Sequence, residues 1–100
     1  MYLRISRSRF DPARHDDVAA ALDASQQSLI PAIRRLPGVL GYWAGIDRGS
    51  GTMVNVSTWE SEEHARQMAT LPEMLALRGT FEAGGVQFEP IVDYQVLWRL

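Results

Sequence analysis

Apolar and polar residues alternate at the start of the chain, with Leu3 and Ile5 against Arg4 and Ser6, a period of two that predicts a strand. Asp11-Pro12 then opens a long helical stretch, with Asp16 and Asp17 near the positive end of its dipole. Val18, Leu22, Ser25, Leu29 and Ile33 recur at steps of three and four, so one face of this helix is buried. Pro31 falls inside the pattern and predicts a kink near Ser28–Leu29. "LPG" at 36–38 ends the helix. Two strands follow, "VLGYWAGID" and "TMVNVSTW", joined by "RGSG", where Gly49 and Gly51 suit a tight hairpin. Ser61 is the expected N-cap of a helix with Glu62 and Glu63 in its first turn. Thr70 and Glu73 form a candidate capping box for a second one. Met74, Leu77 and Phe81 give that helix an apolar stripe, and Gly84-Gly85 stops it. "IVDYQVLW" is the last strand. The order of elements is that of an α+β, ferredoxin-like split βαβ domain over residues 1–100: a four-stranded antiparallel sheet with helices on one face.

Helices cover one face of such a sheet, yet the strands are apolar on both. On the second strand Val39 and Trp43 oppose Leu40, Tyr42 and Ile46. On the last, Val92, Tyr94, Val96 and Trp98 oppose Ile91 and Leu97. Both faces must be buried, which predicts a homodimer closed through the open sheet face.

Composition narrows the chemistry. The chain is 46% hydrophobic and 22% charged, as globular proteins are. Its net charge of −2 gives no nucleic-acid footprint, and the local bias of arginines at 4, 7, 9 and 14 reads as a solvated edge. With no cysteine, disulfides, thiolate nucleophiles and zinc–thiolate centres are excluded. The two histidines, His15 and His64, are too far apart in sequence to suggest a metal site. No window is apolar enough to span a bilayer, and the start does not read as a secretory signal, so a cytoplasmic location is expected.

Candidate chemistry gathers on one strand. By alternation Met53, Asn55, Ser57 and Trp59 share a face, and Val54, Val56 and Thr58 take the other. An amide inside an apolar strand either satisfies a neighbouring backbone group or faces a cavity. His64 is a possible proton acceptor, and a solvated surface position is the alternative.

The stretches "LPGVLGYWAGID" at 36–47, "VNVSTWESEEHARQM" at 54–68 and "FEAGGVQFEPIVDYQVL" near the end resemble the antibiotic biosynthesis monooxygenase family of dimeric α+β barrels. The resemblance implies a pocket between sheet and helices, lined by Asn55 and Trp59. It implies oxidation of an electron-rich aromatic, such as a hydroquinone, an anthrone or a related polyketide, by molecular oxygen with neither metal nor flavin. Arg78 stands near a family arginine, and Met53, Ser57 and Met74 join it as candidate substrate-binding residues. A family tyrosine is met by Ala65, so the proton route differs here.

Three readings remain open at this level. One is a cofactor-independent monooxygenase with Asn55, Trp59 and His64 as catalytic candidates. The second is a non-catalytic dimeric binding domain, which the missing tyrosine favours. The third is a haem-binding or haem-degrading relative. There the axial histidine would fall near Ala69, and the first-strand asparagine is met only by Ser6 and Ser8.

Overall fold

Three long strands position everything else. In the computed structural model, which describes residues 1–100, β1 (Tyr2–Arg9), β2 (Val39–Asp47) and β3 (Thr52–Trp59) are antiparallel, with β3 between β2 and β1. The far side of β1 pairs with two short strands, β4 (Gln87–Phe88) and β5 (Val92–Gln95), giving a five-stranded antiparallel sheet. The expected last strand, 91–98, is shorter, Val92–Gln95, and β4 before it is an unexpected fifth strand on the same edge. Pro90 lies between them and has no N–H to give the ladder. β5 ends at Gln95, opposite Tyr2, and a last ladder-like bond runs from Val96 N–H to the Met1 carbonyl at 3.0 Å.

The helices pack on one face. They are α1 (His15–Ala24), α2 (Gln26–Arg34), α3 (Glu62–Arg66) and α4 (Pro72–Ala83). The long first helix breaks at Ser25, not at Pro31. The buried Ser25 hydroxyl donates to the Leu22 carbonyl, which offers the chain a local alternative to a continuous helix. Pro31 is accommodated within α2 because it and Gln27, whose carbonyl it cannot serve, both face solvent. The expected buried stripe of Val18, Leu22, Ser25, Leu29 and Ile33 is present.

Ser61 caps α3, accepting from His64 N–H at 3.1 Å. The capping box expected at Thr70 does not form. Leu71 is the N-cap of α4, Pro72 supplies the first turn, and Thr70 instead donates to the Gln67 carbonyl. In the β2–β3 hairpin only Gly51 takes positive φ, at 64°, where its carbonyl receives the Phe10 N–H at 2.9 Å. No helix is long and apolar enough to cross a membrane.

The side chains under the helices form two cores. Trp59 centres one with Leu29, Ile33, Ala65, Met68 and Leu71. Met53 sits in the other with Phe10, Val18, Leu22, Phe81 and Val86. Leu77 of α4 touches both. A register shift at Leu40 alters the expected faces of β2: Val39, Tyr42 and Ile46 point to the helices, and Trp43 points to the open face. An extra residue in one strand exchanges the faces on one side of it.

Candidate active site

Cross-strand register arranges the helix-side residues in rows. Val39, Trp59, Tyr2 and Gln95 form one row, and Ile46, Met53 and Ser8 another. Between them lie Tyr42, Ser57, Arg4 and Asp93, then Ala44, Asn55 and Ser6. The outer rows feed the two cores. Over the polar middle rows is a cavity of about 160 Å³. Arg4, Ser6, Tyr42, Asn55 and Ser57 line its sheet side, and Met68, Met74, Leu75, Leu77, Arg78 and Phe81 line its helix side. Phe88 and Ile91 close the β4–β5 edge.

The stripe along β3 therefore divides. Asn55 and Ser57 face the cavity, as do Met74 and Arg78 among the other expected residues. Met53 and Trp59 do not line it, since each is sealed into a core with 1% and 0% of its surface exposed. His64 is also outside. Its Nδ1 is 2.8 Å from the Ser61 hydroxyl, and its ring covers Gly38, where a Cβ would come within 2.4 Å of His64 Cγ.

Hydrogen bonding separates the occupied polar groups from the free ones. Trp59 Nε1–H donates to Ser57 Oγ at 2.8 Å, which leaves the serine's own O–H directed elsewhere. Arg4 Nη1 donates to both carboxylate oxygens of Asp93, at 3.0 and 3.2 Å, in a pair whose side chains are 11% and 16% exposed. Arg78 lies 4.8 Å from the Phe88 ring centroid and 3.4 Å from Glu82. The Tyr42 hydroxyl is buried with no hydrogen-bond partner. Burial pushes its pKa up from 10.0 to about 12, against the opposing pull of the Arg4 charge, so the phenol is a neutral donor at physiological pH. No cluster of three His, Asp or Glu side chains is placed to hold a metal ion.

A wider groove, about 760 Å³, runs between α1–α2 and the free edge of β2, and it shares Tyr42 and Asn55 with the cavity. The asparagine thus stands where the two spaces meet.

Arg4, Ser6 and Tyr42 were not anticipated as site residues. Arg4 looked like a solvated edge, but β1 is an inner strand and its polar side faces the helices. The signal was available in the order of elements. In a split βαβ sheet the first strand is central, so polar residues on its covered face need a cavity or partners.

The fold recurs in solved structures. A protein of Deinococcus radiodurans, provisionally named an antibiotic biosynthesis monooxygenase, superposes with a TM-score of 0.76 at 16% identity, over 100% of this chain and 96% of that one. The chain has the fold of these monooxygenases. A monooxygenase of Streptomyces coelicolor, from the gene ActVA-Orf6 and in complex with nanaomycin D, gives 0.74 at 19% identity, over 99% and 89%. SnoaB of Streptomyces nogalater, a cofactor-independent oxygenase in an asparagine-to-alanine mutant, gives 0.62 at 16% identity, over 99% and 95%. These likenesses are of fold. No protein-family model and no curated protein matches the sequence.

Proposed function

We propose that the cavity binds an electron-rich aromatic, a hydroquinone, anthrone or similar polyketide-like ring, and oxidises it directly with molecular oxygen, without metal or flavin. The observation that carries this reading is the placement of Asn55 and Ser57. Two neutral donor groups with no acceptor of their own face a small, mostly apolar cavity, in a fold shared with a cofactor-independent oxygenase.

The chemistry follows from the donors. When the substrate phenol or enol loses its proton, the Asn55 amide and the Ser57 hydroxyl stabilise the charge left on oxygen. The anion reduces oxygen: one oxygen atom forms a new C–O bond in the product, the other leaves as water, and the substrate supplies all the electrons. Apolar walls of Met68, Met74, Leu77 and Phe81 limit water around the reduced oxygen species. No carboxylate or imidazole lines the cavity, so a substrate acidic enough to ionise on its own is preferred. A cavity of about 150 Å³ accommodates a benzene-sized molecule, so one ring fills this one and further rings extend into the β2 groove.

In the same reading the protein is a homodimer. The open sheet face presents Trp43, Val92 and Tyr94, exposed by 59%, 44% and 49%, and a second copy would bury them.

Oxygen uptake by metal-stripped protein, measured against a panel of hydroquinones and anthrones, tests the activity. Uptake above autoxidation that persists in chelator and collapses in Asn55→Ala supports it. Binding without uptake across the panel would favour a non-catalytic binding domain.

A further inference from the structure

An unpartnered buried hydroxyl and an incompletely used guanidinium share one end of the cavity. Tyr42, Ser57 and Arg4 are consecutive in the row across β2, β3 and β1. The Tyr42 hydroxyl has no partner. Only Nη1 of Arg4 is engaged, and its acceptor, Asp93, lies on the neighbouring strand and not in the cavity lining. Two arginines, Arg4 and Arg78, line the cavity, and no acidic side chain does.

A buried hydroxyl without a partner is unfavourable, and a phenylalanine would fill the same space without that penalty. Its retention next to a cation makes sense where a ligand supplies the acceptor. A guanidinium with donors to spare, a phenol held neutral and a second arginine together match one ligand chemistry, a negatively charged oxygen.

We infer that the Arg4–Tyr42 end of the cavity is a receptor for an anionic oxygen on the ligand, carried as a carboxylate or as an ionised phenol. This rests on the small-molecule reading of the cavity but not on its oxygen chemistry. The ring then lies against Met74, Leu77 and Phe81, and the charge points toward β1. Met68 and Met74 are unbranched side chains that can yield as the ligand reaches the tyrosine hydroxyl.

The test is anaerobic calorimetric titration with gentisate, a hydroquinone bearing a carboxylate, and with its neutral amide, gentisamide. A parallel titration uses para-nitrophenol above and below its own ionisation. Gentisate is expected to bind about tenfold more tightly than gentisamide, the scale of one charge-assisted hydrogen bond. Tightening of para-nitrophenol on ionisation would assign the phenolate source, and a gentisate preference the carboxylate source. Tyr42→Phe keeps the ring and removes only the unpaired hydroxyl, so the variant should fold with an undiminished Tm and lose most of the preference for charge. Three results would overturn the site: acid and amide within about twofold with no ionisation effect, an unchanged preference in folded Tyr42→Phe, or no binding of any probe at millimolar concentration. Aerobic runs separate this from the oxygenase reading. Charge-selective binding without oxygen uptake would leave the receptor standing and remove the oxygenase. Equal uptake with neutral and charged hydroquinones would do the reverse.

Discussion

The indole N–H of Trp59 donates to the hydroxyl oxygen of Ser57, 2.8 Å away and two residues back on the same face of β3. Trp59 is fully buried, so this bond is its link to the cavity that Ser57 lines. In the proposed reading the tryptophan is a positioning residue: it occupies an acceptor lone pair of the serine and leaves the serine proton for a ligand. Removing the acceptor strands the indole N–H. Ser57→Ala should therefore cost about 1–3 kcal/mol in chemical denaturation. In a Trp59→Phe background the same change should cost about 1 kcal/mol less, the coupling expected of groups in contact. Strict additivity would show that the bond contributes nothing.

Trp43 tests the open face. Its ring lies over Gly41, whose missing side chain makes room for it, since a Cβ there would be 2.7 Å from Trp43 Cη2. If a second copy covers this face, wild-type protein runs as a dimer in light-scattering chromatography at micromolar concentration. Trp43→Glu would place a charge in that contact and give a folded monomer with unchanged far-ultraviolet circular dichroism. A monomeric wild type would contradict the dimer.

Tyr42 sets a stability change at alkaline pH. Its pKa is raised from 10.0 to about 12 by burial, so across that interval the folded protein retains a proton that the unfolded chain releases. Stability is unaffected by this group below the unfolded value and falls as pH rises toward 12. Urea midpoints measured up to pH 11 should decline more steeply for wild type than for Tyr42→Phe. Parallel declines would show that the phenol ionises freely.

Gly38 tests what holds His64. It adopts φ 78°, and any side chain there would enter the His64 ring. Gly38→Ala should lose about 1–2 kcal/mol from the left-handed backbone alone, and more from the clash. Because His64 lies outside the cavity, ligand affinity per folded molecule should be unchanged. A selective loss of binding would bring His64 back into the site.

Much of this architecture is legible in the pattern of residues. The alternation in β1 and β3, the stripe from Val18 to Ile33 and the stops at Gly38 and Gly84 give the element order, and that order gives the sheet. What misleads is local competition. Ser25 breaks a helix that the apolar period carries straight through, and Pro31 does not break it because its unserved carbonyl meets solvent. The bulge at Leu40 brings Val39 to the face of Tyr42 and Ile46, where a simple count by twos places it on the other. Period two correctly groups Met53, Asn55, Ser57 and Trp59, but it cannot tell that the ends of this stripe enter cores while the middle meets a cavity. That depends on which helix residues lie opposite. Arg4 is the plainest loss: its charge suggested solvent, and only strand order reveals the covered position.

The most direct test of the proposed chemistry is a single-turnover reaction under isotopically heavy oxygen gas, with metal-stripped protein, chelator and a hydroquinone or anthrone the protein binds. The proposal expects one heavy oxygen atom in the product, formed faster than by autoxidation, and loss of that rate enhancement in Asn55→Ala. Product without the label, or a rate abolished by the chelator, would contradict it.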